Sequence, residues 1–100
     1  MKGLKDQVII VTGGAGGIGG ATCKRLAQEG AKVAVFDMNL AAAQRVVDDI
    51  KNAGGTALAV QCDITNKEVV DQSIVITEAE LGAIDGLVNN AGWDIFKPFI

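Results

Sequence analysis

One hundred residues, 49% of them hydrophobic and 21% charged, can build one domain with an apolar core and no more than one. A net charge of −3 argues against non-specific nucleic-acid binding, and no apolar run reaches the length of a membrane span. The opening Met1-Lys2-Gly3-Leu4-Lys5-Asp6 lacks the long apolar region of a signal peptide, which predicts a cytoplasmic protein. Cys23 and Cys62 form no C-x-x-C pair and histidine is absent, so no metal site is expected and both thiols are predicted to be small buried hydrophobes.

Apolar, β-branched segments alternate with helical patterns along the whole chain. The first predicted strand is Val8–Val11, followed by the glycine-dense Thr12–Gly19 and a helix from about Gly17 to Glu29. On that helix Ile18, Thr22 and Leu26 share one face, and Gly30 is placed to stop it. Lys32–Phe36 reads as the second strand. A helix over about 40–53 follows, with Ala43, Val46, Val47 and Ile50 at the spacing of one buried stripe, and Gly54-Gly55 ends it. Ala57–Gln61 is the third strand. Thr65-Asn66-Lys67-Glu68 matches a capping box, which predicts a helix start at Thr65 and an inward face of Val70, Ile74, Thr77 and Leu81. Gly86–Val88 is the fourth strand.

The order βαβαβαβ, with continuously apolar strands, predicts an α/β fold: a Rossmann-like, doubly wound parallel sheet of spatial order 3-2-1-4. Four strands and three helices make little more than half of such a sheet. The last strand is expected to show an open edge and a thinly covered face, so residues 1–100 read as the N-terminal part of a single Rossmann domain that is cut short.

Thr12–Gly19 carries the chemistry. A strand, a glycine turn and a helix start make a phosphate site, because glycine lets backbone N–H groups approach an anion and the helix N-terminus offers unpaired donors. Two registers fit: Gly14-x-Gly16-x-x-Gly19 matches G-x-G-x-x-G, and Thr12-Gly13-x-x-x-Gly17-x-Gly19 matches T-G-x-x-x-G-x-G. Asp37 stands at the end of the second strand, 18 residues past Gly19, where a dinucleotide fold places a carboxylate for the adenosine ribose hydroxyls. The phosphate of NADP placed about 4 Å away would be repelled by about 4 kcal/mol at an effective dielectric near 20. Met38, Asn39 and Gly16 offer no compensating cation, which selects NAD. Asp63 fits either an adenine contact, with Ile64 against the ring, or simple support of the helix that follows. Asn89-Asn90-Ala91-Gly92 fits either the ligand-facing end of the fourth strand or an ordinary asparagine turn.

Together, Thr12-Gly13-x-x-x-Gly17-x-Gly19, Asp37, Asp63 and Asn89-Asn90-Ala91-Gly92 resemble the short-chain dehydrogenase/reductase family along the whole chain. The resemblance implies the register of Gly13, Gly17 and Gly19. It implies NAD-binding roles for Gly13, Gly16, Gly17, Ile18, Gly19, Asp37, Met38, Asp63, Ile64, Asn90, Ala91 and Gly92, with Asn89 as a brace. Gly92-Trp93-Asp94-Ile95-Phe96-Lys97-Pro98-Phe99 is similar to dehydrogenases of alicyclic hydroxyacyl-CoA substrates, in which Trp93, Phe96 and Phe99 are candidates for a substrate entrance or for packing. Family members act with a Tyr-x-x-x-Lys pair and a serine lying further along than Ile100. This chain has no tyrosine, and Ser73 and Lys67 sit on the predicted third helix, so no residue of it is assigned to catalysis.

The expectation is the NAD-binding portion of a dehydrogenase that oxidises a small-molecule secondary alcohol to a ketone, inactive as this chain alone. The complete protein is expected to be a homo-oligomer, as family members are commonly tetramers. A non-catalytic NAD-binding module and a dehydratase or epimerase of the same fold are the competing expectations.

Overall fold

A computed structural model of the chain describes residues 3–90. Seven elements follow one another: β1 (Val8–Thr12), α1 (Gly17–Gln28), β2 (Lys32–Asp37), α2 (Leu40–Asn52), β3 (Thr56–Gln61), α3 (Lys67–Leu81) and β4 (Ile84–Asn89). The strands form one parallel sheet in the order β3-β2-β1-β4, the predicted Rossmann-like arrangement.

The two central strands explain their own composition. β1 and the middle of β2 are buried along their length, because helices lie against both sheet faces. Alternate side chains go to opposite sides. Ile9, Val11, Val33 and Val35 pack with Cys23, Val46, Val47 and Ile50 under α1 and α2. Ile10, Ala34 and Phe36 pack with Val60, Cys62 and Val70 under α3. Phe36 is the largest fully buried side chain and sits where β2 approaches its carboxyl end.

Three local expectations are corrected. The buried face of α1 is Gly19, Gly20 and Cys23, with Leu26 and Ala27 partly covered, whereas Ile18 is 79% exposed. A Cβ on Gly19 would run into the carbonyl oxygen of Gly13, so the start of α1 lies too close to the turn for a bulky residue to face inward. The cap of α3 is Asn66, whose Oδ1 accepts from the Val69 N–H at 3.2 Å, and α3 begins at Lys67. Thr65 precedes the cap position and is turned back instead, its N–H and hydroxyl both donating to Asp63 Oδ1.

The third correction concerns β4, which starts at Ile84 rather than Gly86. Its pairing to β1 slips at Asp85: Val8 lies opposite Ile84, and Ile9 opposite Gly86. The unpaired position is filled by the Asp85 side chain, whose Oδ2 accepts from the Val8 N–H at 2.8 Å. Ile84, Leu87 and Val88 are only half-buried, as an outer strand predicts, and among the described residues β4 pairs with β1 alone.

Candidate functional site

Parallel strands bring all four carboxyl ends to one edge of the sheet, and the turns that follow them meet there. In open α/β sheets ligands bind at this edge, where the strand order reverses between β1 and its two neighbours. The turn after β1 is Gly13–Gly16. Gly13 has φ of +63°, a left-handed conformation that glycine adopts without strain. A Cβ on Gly14 would meet the Val35 side chain at 2.8 Å, so that glycine answers to packing beneath the turn. Gly17 has no described protein atom within 4 Å of where its Cβ would be, beyond its own helix and chain neighbours. Nothing among the described residues requires glycine there.

α1 begins differently from the other two helices. Its N-cap is Gly16, with no side-chain hydrogen bond to the first turn and no acidic residue in that turn. Asn39 caps α2 by accepting from the Ala42 N–H at 3.0 Å, and Asn66 caps α3. The first-turn N–H groups of α1 are therefore unanswered by any cap, at the positive end of the helix dipole. Such an N-terminus is chemically suited to an anion.

Asp37 closes β2 beside that turn. Because Asn39 performs the capping, Asp37 is free of that task and holds two backbone donors instead. Its Oδ2 accepts from the Ala15 N–H at 3.1 Å and its Oδ1 from the Asn39 N–H at 2.9 Å. Gln61, at the end of β3, donates from Nε2 to the Met38 carbonyl at 3.1 Å, fixing the next residue of the same turn.

Beyond Asp37 lies an open hollow of about 340 Å³ lined by Met38, Gln61, Asp63 and Val69. Asp63 is held below the usual carboxylate range by the Thr65 hydroxyl at 2.6 Å and, secondarily, by the Thr65 N–H at 3.0 Å. Both bonds go to Oδ1, and among the described residues no donor reaches Oδ2. The structural and ligand-facing roles of Asp63 are thus compatible. Ile64 is half-buried and packs against the cluster under α3. Another hollow, about 380 Å³, lies around Lys5, Gly30 and Gly54 at the opposite edge, so volume alone does not single out the site.

At the end of β4, Asn89 Oδ1 accepts from the Thr12 hydroxyl at 3.0 Å, tying β4 to β1, and the Asn90 N–H donates to the Thr12 carbonyl at 3.2 Å. Ala91, Gly92, Trp93, Phe96 and Phe99 lie outside the described residues. Ser73 is buried and its hydroxyl donates to the Val69 carbonyl at 2.7 Å.

The structure thus gathers Gly13, Gly16, Gly17, Ile18, Gly19, Asp37, Met38, Asp63, Ile64 and Asn90 around one edge. Three of the large hydrophobics that stand exposed, Ile18 (79%), Met38 (64%) and Leu40 (43%), border it. Ala15, Gln61 and Val69 belong to the same edge and were not anticipated. The polar residue ending an apolar strand was the available signal for Gln61. Ala15 acts through its backbone, which no side-chain pattern reveals. Among the described residues no three His, Cys, Asp or Glu side chains converge as metal ligands, and no helix is long and apolar enough to cross a membrane.

Comparison with known proteins agrees with this geometry. A family model described as short chain dehydrogenase matches residues 7–100. The 7alpha-hydroxysteroid dehydrogenase of Escherichia coli (strain K12) is 42% identical over 96 residues, covering 96% of this chain and 38% of the relative. The crystal structure of hydroxysteroid dehydrogenase from Escherichia coli superimposes with a TM-score of 0.86 at 42% identity, over 96% of this chain and 41% of that one. A structure described as a D-mannonate oxidoreductase from Haemophilus influenza, with bound NAD, gives a TM-score of 0.82 at 31% identity, over 84% of this chain and 30% of that one. The chain therefore spans well under half the length of these relatives. On the match of residues 7–100, it belongs to the short-chain dehydrogenase family.

Proposed function

We propose that residues 1–100 form the part of an NAD-dependent dehydrogenase that holds the adenosine and pyrophosphate of its cofactor. The observation that carries this is the uncapped N-terminus of α1 standing beside the Asp37 carboxylate. The N–H groups of Gly17, Ile18 and Gly19 would donate to the pyrophosphate, with Gly13 and Gly16 shaping the turn. The open space beside Gly17 leaves room for the phosphate oxygens. Asp37 would accept from the adenosine ribose hydroxyls, with Asn90 nearby. Met38, Asp63, Ile64 and Val69 would surround the adenine, Asp63 accepting from its amino group through Oδ2. Ala91 and Gly92 complete the proposed set from outside the described residues. The NAD bound in the Haemophilus influenza neighbour supports the choice of cofactor.

When bound, NAD accepts a hydride at its nicotinamide ring, and the substrate class is a secondary alcohol oxidised to a ketone. We assign proton transfer to none of the residues 1–100, since the chain contains no tyrosine for the family's Tyr-x-x-x-Lys pair. A finer reading, an alicyclic hydroxyacyl-CoA as in 2-hydroxycyclohexanecarboxyl-CoA dehydrogenase, rests on residues 92–99. The relatives above are named for other substrates.

The test is calorimetric titration of the intact protein with NAD and NADP. Repulsion of a phosphate about 4 Å from Asp37 reaches about 4 kcal/mol at an effective dielectric near 20, up to roughly a thousandfold in affinity. Asp37 is half-exposed, so solvent screening lowers this, and a preference for NAD of at least about tenfold is expected. Equal affinity for the two would refute the role of Asp37.

A further inference from the structure

The turn Gly13-Gly14-Ala15-Gly16 has almost no side chains with which to fix its own shape, so its backbone bonds must do it. One, from the Gly16 N–H to the Gly13 carbonyl at 3.4 Å, closes the turn on itself, and the others run to the end of β2. The Gly14 N–H donates to the Phe36 carbonyl at 3.3 Å, and the next N–H, that of Ala15, donates to Asp37 Oδ2 at 3.1 Å across 22 residues of sequence. From below, Cys23 Sγ contacts the Gly14 carbonyl at 3.7 Å. Of these, the Ala15 bond alone ends on a charge, and charge-assisted bonds are roughly twice as strong as neutral ones. The Asp37 side chain is in turn held by the Asn39 N–H, and the turn carrying it is pinned by Gln61 at the Met38 carbonyl.

We propose that Asp37 is a latch on the glycine turn, a positioning residue for the pyrophosphate as well as a ligand of the ribose. This deepens the NAD reading and rests on it. A carboxylate offers about four lone-pair positions. Two are used by Ala15 and Asn39, which leaves two for the two ribose hydroxyls, so both tasks are met by one side chain at the same time. The affinity of the phosphate subsite then depends on a residue that touches no phosphate.

The test uses the intact protein and its Asp37→Asn and Asp37→Ala variants. Asn keeps the shape and one accepting oxygen, so it can satisfy only one of the Ala15 and Asn39 N–H groups, whereas Ala removes both acceptors. Amide hydrogen exchange without ligand is expected to rise on the order of tenfold or more at Ala15 in Asp37→Ala, and at Ala15 or Asn39 in Asp37→Asn, while the Ile10 amide inside β1 keeps its protection and reports an intact sheet. Ala15 exchange within twofold of the parent in Asp37→Ala overturns the latch. The second readout is affinity for an NAD analogue whose adenosine ribose lacks both hydroxyls. A residue serving only the ribose would leave that affinity unchanged, and removing a negative charge would tighten binding of the pyrophosphate. The latch instead makes the analogue bind several-fold more weakly to Asp37→Ala, and unchanged or tighter binding to that variant overturns the coupling. If the parent protein takes up neither NAD nor the analogue, the NAD reading fails. The latch is then judged on Ala15 exchange alone.

Discussion

Replacing Gly17 and Gly19 separately by alanine should divide folding from binding. At Gly19 a Cβ would overlap the Gly13 carbonyl oxygen and lie 2.9 Å from the Gly14 Cα, both backbone atoms that cannot swing aside. Overpacking of this kind costs typically about 1–3 kcal/mol, and contact with two backbone groups belongs at the upper end. Alanine returns about 1 kcal/mol through helix propensity, so Gly19→Ala should lose about 2 kcal/mol. At Gly17 nothing described stands within 4 Å, and its φ is not positive, so Gly17→Ala should be neutral or stabilising by up to about 1 kcal/mol. Its methyl group would instead stand where the pyrophosphate is placed. Losing one charge-assisted hydrogen bond there amounts to about 1.5–3 kcal/mol, or roughly 10- to 100-fold in NAD affinity. Urea unfolding measures the first quantity and calorimetric titration with NAD the second. Gly17→Ala binding NAD within twofold of the parent, or Gly19→Ala unfolding at the parent's urea concentration, would refute the reasoning.

Cys23 is fully buried, and burial pushes its thiol up to about 12 from an ordinary 9.0. At pH 8 its thiolate fraction should fall by about a thousandfold, so disulfide-exchange reagents should label it that much more slowly than in urea. Labelling within tenfold of the unfolded rate would contradict the burial. Because the native form resists ionisation, this thiol lowers stability as pH rises above about 9, and Cys23→Ala should flatten that decline. Asn66→Ala should cost about 1 kcal/mol in urea unfolding through loss of the α3 cap, and a variant as stable as the parent would return the cap to Thr65.

The alternation of elements and their order in the sheet were legible because fully buried parallel strands are written as unbroken apolar runs. Val8–Val11 and Lys32–Phe36 show this most clearly. The uncapped start of α1 was legible because a strand, three close glycines and a helix start occur together. What escaped was competition between neighbouring polar side chains. Thr65 looked like the cap, but Asp63 two residues earlier draws its N–H and hydroxyl back into a turn, the helix starts two residues later, and Asn66 caps it. Periodicity likewise put Ile18 in line with Leu26, with no means of showing that the inward position of the first turn is taken by Gly19, where the neighbouring turn leaves no room for a Cβ. Asp85 hid the start of β4 at Ile84, since a charged residue seldom interrupts a strand unless a bulge accommodates it. Asp37 could be assigned to a ligand from its position, but its grip on Ala15 pairs a side chain with a backbone group and has no sequence signature.

The place of β1 has a kinetic consequence. On one side it pairs with β2, Val8 meeting Lys32, across one helix and two short turns. On the other its partner is β4, and the Val8–Asp85 and Thr12–Asn89 bonds each close a loop of 77 residues. Local pairings close early and distant ones late, because the loop entropy of the distant ones is offset only once other contacts have formed. As the chain leaves the ribosome, β1, β2 and β3 can assemble while one side of β1 still lacks its neighbour. Roughly 10 seconds or less of synthesis, at about 5–20 residues per second, separate the emergence of β2 from that of β4. During that interval the most apolar of the four described strands offers a bare edge, and the arrival of Ile84–Asn89 closes it.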